Sequence, residues 1–216
     1  MPPVTHRTDV DLVLERSFLS YTNAIQSSPK DDLSNLRILM LNYVEWFNET
    51  ICEDPNTFCN DFKLSLRDVL SWARFIADVS LKHQVVNVHS AFLHGAALMH
   101  LDGVGLGTGV SNHDASATRD KAKDYLLQQI ALPYNSLDVR GFKDELEDLQ
   151  KSLVDTVDTF GILPFTITKG KIAAPTNSQF NMTAPTTGMN LRRVLRGMQI
   201  SKPILLEGSP GVGKTR

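Results

Sequence analysis

The sequence predicts a mainly α-helical protein that changes to an α/β pattern towards its C-terminal end. Over residues 9–110 the apolar side chains recur at intervals of three and four, which is the period of an amphipathic helix. After Phe160 the chain has short alternating runs separated by glycine and proline, a pattern typical of strands. Residues 203–215 add an apolar run and then a glycine-rich motif, the order in which α/β proteins place a buried strand before a phosphate-binding loop.

The composition is that of a folded protein. The 216 residues give room for one to two domains, and 42% of them are hydrophobic and 21% charged. These fractions argue against a disordered chain, a collagen-like repeat and a small disulfide scaffold. Because 22 Lys and Arg residues stand against 24 Asp and Glu residues, the net charge of -2 gives no direct signal for nucleic acid or for an anionic membrane.

Cysteine usage and the N-terminal sequence favour a location inside the cell. Cys52 and Cys59 have neither the spacing of a CxxC zinc or redox pair nor the number expected of a disulfide framework. The first residues lack the cationic and apolar regions of a signal peptide, and no stretch approaches 18 uninterrupted apolar residues. We therefore expect neither secretion nor a membrane span.

Four helices are predicted in the first half of the chain, over about 9–27, 31–51, from Ser65 onwards, and 86–101. Ser65 and Asp68 have the spacing of a capping box, which predicts the start of the third helix. After the fourth helix, glycine occupies every second position from 103 to 109, which predicts a turn. This run does not satisfy GxGxxG and follows a helix rather than a strand, so it does not indicate a dinucleotide site.

The middle of the chain, residues 111–157, is polar and charged and is interpreted as a connecting helical segment. Beyond it, residues 161–168 and 179–183 are predicted as short strands and 188–200 as an amphipathic helix. In that helix the inner face is predicted to carry Leu191, Val194, Leu195 and Met198, and the outer face Arg192, Arg193 and Arg196. The arginines would face either phosphate or solvent.

The strongest chemical signal is a complete GxxxxGK[ST] motif directly after the apolar run 203–207. A loop around a triphosphate turns its backbone N–H groups inward, which requires glycines that can take positive φ. Lys214 would lie between the β- and γ-phosphates, and the Thr215 hydroxyl would hold Mg²⁺. The alternative is a strand-to-helix turn with an exposed lysine. The predicted nucleotide-binding residues are Gly208, Ser209, Pro210, Gly211, Val212, Gly213, Lys214 and Thr215.

Histidines and tryptophans give weaker signals. His89, His94 and His100 lie on or near one predicted helix, but their spacings of five and six residues rotate them apart, so packing or surface roles are expected rather than metal binding. Trp46 and Trp72 lie on apolar helix faces, which favours a place in the core over a base-stacking platform.

Several of these segments together resemble the midasin family, the dynein-related AAA+ ATPases of large ribosomal subunit biogenesis. The resemblance is carried by Phe165, by the segment 184–187 and above all by the run 190–215. Residues 64–72 and 94–109 look like the helical lid that closes one AAA module of this family before the next begins. The resemblance covers most of the chain and is weakest over 111–159.

The resemblance implies a specific domain organisation. Residues 1–110 would form the helical lid of one AAA+ module, 111–158 a helical linker, and 159–216 the truncated α/β start of the next AAA+ core, with its N-linker, first strand and P-loop. In AAA+ lids an arginine at the start of such a helix acts as sensor 2 towards the γ-phosphate, and Arg67 is the matching residue. A surface ion pair of Arg67 with Asp68 or Asp61 is the alternative. The segment 184–187 is similar to the N-linker that passes the adenine.

The resemblance also implies a function. A midasin-type ATPase would bind ATP and Mg²⁺ and use hydrolysis to remodel and export pre-60S ribosomal particles in the nucleus, together with their assembly factors and the neighbouring AAA modules of its ring. Lys214 and Arg67 would be the catalytic residues. Because only Arg216 follows Thr215 in the sequence, the acidic strand and later ATPase elements are missing, which leaves enzyme activity open. The alternative is a catalytically inert helical interaction module with a remnant P-loop.

Overall fold

The computed structural model describes residues 6–22, 30–54, 58–82, 85–105, 109–131, 141, 153–171 and 184–204. The chain divides into two compact units, Met1–Lys151 and Ser152–Arg216. In the residues that the structure describes, the first unit is helical and the second has a small sheet and one helix, so the protein is mainly α-helical, as the sequence predicts. No helix within these ranges has the length and apolar character that a membrane span requires.

The described ranges of the first unit contain five long α-helices, and three of them are followed by short turns of other helix types. The second and third helices end in π-helical turns over Phe47–Ile51 and Ala77–Lys82. Short 3-10 turns lie at Cys59–Phe62 and Leu101–Gly103. The α-helices are α1 (Arg7–Thr22), α2 (Lys30–Trp46), α3 (Leu66–Ile76), α4 (Val88–Met99) and α5 (Asn112–Ala131).

Local sequence signals explain where these helices begin and end. Asn87 precedes α4 and its Oδ1 accepts a hydrogen bond from the Ser90 N–H at 2.8 Å, which satisfies a donor that the helix leaves open. After α4, Gly105 and Gly109 take φ angles of +83° and +72°, a region that favours glycine. Residues 104 and 105 thus lie in a turn, as the sequence predicts, whereas residues 106–108 lie outside the described part of the chain.

The core of the first unit lies where α3 packs against α4, with α1 and α2 alongside. The side chains in this core come from each of the helices α1 to α5 and from the turn after α2, and they are at most about 2% exposed. They include Leu14, Leu36, Met40, Tyr43, Phe47, Trp72, Phe75, Ile76, Phe92, Leu126 and Ile130.

Helix α5 falls in the segment interpreted from sequence as a connector, and it packs against α2 within the first unit. Its side chains Leu126, Leu127 and Ile130 are buried. The ring of Tyr125 also stacks on Trp46 of α2, with 4.0 Å between centroids and 4° between planes. Helix α5 is thus part of the core of the first unit.

Gly95 of α4 marks the closest approach between α3 and α4. A Cβ atom added there would lie 2.4 Å from Trp72 Cδ1 and 2.8 Å from Trp72 Nε1. Gly95→Ala is therefore expected to lower the free energy of unfolding by about 1–3 kcal/mol through overpacking, against a gain in helix propensity of at most about 1 kcal/mol. Urea unfolding followed by tryptophan fluorescence measures the difference.

Gly103→Ala is the matched control, because an added Cβ at that position meets nothing within 4 Å. We expect this variant to unfold within about 0.5 kcal/mol of the wild type. Equal losses for the two variants would contradict the tight helix contact at Gly95.

The second unit contains an antiparallel sheet of three strands in the order β1 (Leu153–Asp155), β2 (Thr159–Ile162) and β3 (Phe165–Thr168). The sequence predicted one strand over 161–168, but Pro164 cannot donate to a sheet ladder and lies in the turn between β2 and β3. Strand β1 was not predicted. The strand predicted over 179–183 lies outside the described residues.

Helix α6 (Pro185–Gly197) packs on β2 and β3. It starts three residues before the predicted helix because Pro185 suits the first turn, where its missing N–H costs nothing. The prediction for its faces was wrong for three residues. Arg192 and Arg196 are 2% and 3% exposed, whereas Met198 is 48% exposed.

The reason for this error is the helical period. Leu195, which is 1% exposed, lies four positions after Leu191 and three positions after Arg192. It can therefore share a buried helix face with either residue, so the sequence pattern allows both rotations of the helix. The structure selects the face that carries Arg192 and Arg196. Arg193 is half-buried.

Candidate functional site

The predicted phosphate-binding loop, residues 208–215, lies outside the described part of the chain. Its assignment, including the roles of Lys214 and Thr215, therefore stays a prediction. The apolar run that precedes it is described only at Pro203 and Ile204. Both are exposed and outside regular secondary structure, which differs from the buried strand predicted there.

Arg67 is the predicted catalytic residue that falls within the described ranges. It lies in the first turn of α3 and its side chain is exposed. Asp68, one of the two partners considered for it, accepts hydrogen bonds at Oδ2 from the Ser65 N–H at 2.9 Å and from the Ser65 hydroxyl at 2.7 Å. The predicted capping relation between Ser65 and Asp68 is thus confirmed, and Arg67 projects from a well-defined helix start. The side chain of Asp61 lies outside the described residues.

A further contact, which no sequence pattern indicated, holds this helix start. Asn48, in the π-helical turn after α2, donates from Nδ2 to the Leu64 carbonyl oxygen at 3.1 Å. The Leu64 N–H donates back to Asn48 Oδ1 at 2.8 Å. The two residues are 16 positions apart, beyond the reach of any local pattern, so only the tertiary structure places them together.

The segment compared with an N-linker, 184–187, lies at the start of α6. Ala184 precedes the helix and has extended backbone angles, and Pro185 lies in the first turn of the helix. No side-chain hydrogen bond caps this helix start. A turn leading into a helix is the arrangement seen here. A contact of this segment with adenine stays a prediction.

The three histidines associated with α4 are buried, with exposed fractions of 8% for His89, 1% for His94 and 8% for His100. The ring of His100 packs edge-on against Phe47 at 4.1 Å between centroids. Burial lowers the pKa of His100 to about 4, although the Asp68 carboxylate acts in the opposite direction. Within the described ranges, no group of three or more His, Cys, Asp or Glu residues is placed to hold a metal ion.

Neither Cys52 nor Cys59 is part of a disulfide, and both are completely buried. Burial raises the pKa of Cys52 to about 12, and the neighbouring Cys59 adds to this shift. Burial and the two cysteines also raise the pKa of Tyr43 well above its usual value. Since the thiolate is the reactive form of cysteine, Cys52 is held in its unreactive form.

The tryptophans lie in the packing positions expected of them. Trp72 is 2% exposed, and its Nε1 donates a hydrogen bond to the Phe92 carbonyl oxygen at 2.8 Å. Trp46 is half-buried and is covered on one face by Tyr125. Trp72 is therefore a core anchor, and Trp46 joins α2 to α5.

Comparison with known proteins identifies the helical unit. Residues 20–102 match the family model of the Midasin AAA+ ATPase lid domain. This range runs from the end of α1 to the 3-10 turn after α4, so it covers Arg67, Asn48 and the α3–α4 core. No solved structure matches the chain significantly.

Two curated relatives extend the similarity. Midasin of Dictyostelium discoideum is 32% identical over 223 aligned residues, which cover 100% of this chain and 4% of that protein. Midasin of Giardia intestinalis is 28% identical over 167 residues, which cover 71% of this chain and 3% of that protein. The chain thus spans only a small part of the length of these relatives. By its lid domain and by similarity along its whole length, the chain belongs to the midasin family of AAA+ ATPases.

Proposed function

We propose that this chain contributes to ATP binding and hydrolysis by a ring of AAA+ modules, and that this activity remodels pre-60S ribosomal particles for export from the nucleus. The partners would be ATP with Mg²⁺, the neighbouring modules of the ring, and the pre-60S particle with its assembly factors. The observation that carries the proposal is the complete GxxxxGK[ST] motif at 208–215 in a chain of the midasin family.

The chemistry of the motif supports nucleotide binding. The glycines of the motif would allow backbone N–H groups to turn towards the phosphates, and Lys214 would place its ammonium beside the β- and γ-phosphates. The Thr215 hydroxyl would hold Mg²⁺, which supplies neutralisation of the phosphate charge when it is bound. These residues would bind and orient the nucleotide.

Arg67 would contribute from the lid. Its exposed position in the first turn of α3 supports a role in which the guanidinium reaches the γ-phosphate of a nucleotide bound to its own module. A planar guanidinium suits this task because it offers several donors to phosphate oxygens. Among the described residues no ion pair of Arg67 competes with that role, and Asp68 is engaged by Ser65.

Substitution of Lys214 tests nucleotide binding. We expect Lys214→Ala to weaken binding of a non-hydrolysable ATP analogue with Mg²⁺ by roughly tenfold or more, because an ionic contact to phosphate is lost. Calorimetric titration measures the affinity. Thermal unfolding provides a second reading, since binding at 100 times Kd stabilises the folded state by about 2.7 kcal/mol.

Lys121→Ala is the matched control, since Lys121 is an exposed lysine on α5 and the substitution removes the same charge. It should bind the analogue like the wild type. Tight binding that Lys214→Ala leaves unchanged would refute the P-loop assignment. A wild-type chain that the nucleotide does not stabilise at all would favour the alternative, an inert helical interaction module with a remnant P-loop.

A further inference from the structure

The chain that leads into α3 is fixed by hydrogen bonds on two consecutive residues. Asn48 contacts both backbone polar groups of Leu64, at 3.1 Å and 2.8 Å. Asp68 receives the backbone N–H and the hydroxyl of Ser65, at 2.9 Å and 2.7 Å. Leu64 belongs to the core with an exposed fraction of 3%, so this backbone is also anchored by packing.

The two sets of bonds come from different elements. Asp68 lies in α3 itself and defines the conformation of the helix start, whereas Asn48 belongs to the turn that ends α2. Of these two sets, the bonds from Asn48 are therefore the ones that join the helix start to another element of the lid. Because a side-chain amide that pairs with both the N–H and the C=O of one residue restrains its position and its orientation, Asn48 joins α2 to the first turn of α3.

We propose that Asn48 is a positioning residue for Arg67. It holds the first turn of α3 against the end of α2, so that the Arg67 guanidinium projects from a fixed point of the lid. The inference rests on the proposed role of Arg67 towards the γ-phosphate. Asn48 itself touches no nucleotide and acts through Arg67, for which a small displacement reduces turnover because catalytic contacts depend on orientation.

A double-mutant cycle on ATP turnover tests the inference. In the full-length protein, kcat and KM for ATP are measured for the wild type, Asn48→Ala, Arg67→Ala and the double variant. We expect Asn48→Ala to lower kcat by roughly 3–10-fold with a much smaller change in KM, the pattern of a contact made in the transition state. In the Arg67→Ala background the same substitution is expected to have no further effect on kcat.

Asn42→Ala is the matched control. Asn42 lies on α2, six residues before Asn48, and its Oδ1 accepts a hydrogen bond from Arg7 at 2.7 Å rather than one from α3. Its turnover should equal that of the wild type. If Asn48→Ala does not fold, Asn48→Asp enters the same cycle, because it keeps an acceptor for the Leu64 N–H and replaces the donor to the Leu64 carbonyl oxygen with a carboxylate oxygen that cannot donate.

The outcomes separate this inference from the proposal on which it rests. Wild-type turnover in Arg67→Ala would overturn the role of Arg67, and the positioning role of Asn48 would fall with it. If Arg67→Ala reduces turnover and Asn48→Ala causes the same fold loss in both backgrounds, the role of Arg67 is retained. The positioning role of Asn48 is then overturned. The absence of any loss in Asn48→Ala would overturn it as well.

Discussion

Trp72→Ala is expected to lower the free energy of unfolding of the helical unit by about 3–5 kcal/mol. The indole ring of Trp72 is 2% exposed and packs against Phe92 at 4.7 Å and edge-on against Tyr43 at 5.8 Å between ring centroids. Alanine would leave a cavity between α3 and α4 and would also remove the hydrogen bond to the Phe92 carbonyl oxygen. Chemical denaturation followed by circular dichroism measures the loss.

Trp46→Ala is the control for this substitution. Trp46 is half-buried and loses mainly its stacking on Tyr125, so we expect less than half of the destabilisation caused by Trp72→Ala. Comparable losses at the two positions would mean that the α3–α4 contact is not the centre of the core.

The stability of the helical unit is expected to fall as the pH drops from about 6.5 towards 4. Burial lowers the pKa of His100 from 6.5 to about 4, so between these values the unfolded chain binds a proton that the folded chain does not. Because His100 is a base whose pKa is lower in the folded state, protonation favours the unfolded chain. Its neutral form therefore costs no stability above pH 6.5, and the free energy of unfolding decreases on acidification below that pH. A shift of this size corresponds to about 3 kcal/mol once the pH is below 4.

His100→Leu removes this titration while keeping an apolar side chain against Phe47 and Tyr43. Since His100 Nε2 is buried without a hydrogen-bond partner among the described residues, we expect the variant to match the wild type near pH 7.5 and to lose less stability at pH 4.5. Urea unfolding at the two pH values measures both.

His113→Gln provides the control, because His113 is 92% exposed on α5. It should retain the acid dependence of the wild type. An equally steep dependence in His100→Leu would assign the effect to other groups and contradict the prediction.

Much of the first unit was predictable because its signals are local. Ser65 and Asp68 are three residues apart and form the capping box at the start of α3. The glycines at 105 and 109 take the positive φ angles that their sequence allows. In each case the deciding contacts lie within one helical turn, so the pattern of residues contains them.

The candidate site was predictable only as separate parts. The GxxxxGK[ST] motif and Arg67 follow from residue types and from a family resemblance, whereas the hydrogen bonds of Asn48 to Leu64 join residues 16 positions apart. No periodicity or motif connects such positions. A functional contribution from Asn48 therefore could not be read from the sequence.

The sequence by itself determined the helical character of this protein, the start of α3 and its family, because these depend on local spacing and on similarity along the chain. Only the tertiary structure decided which faces are buried. It turned Arg192 and Arg196 inward on α6, packed α5 against α2, and joined Asn48 to the start of α3. A helical pattern that fits two rotations equally well is resolved by the surface against which the helix packs, and that surface comes from distant parts of the chain.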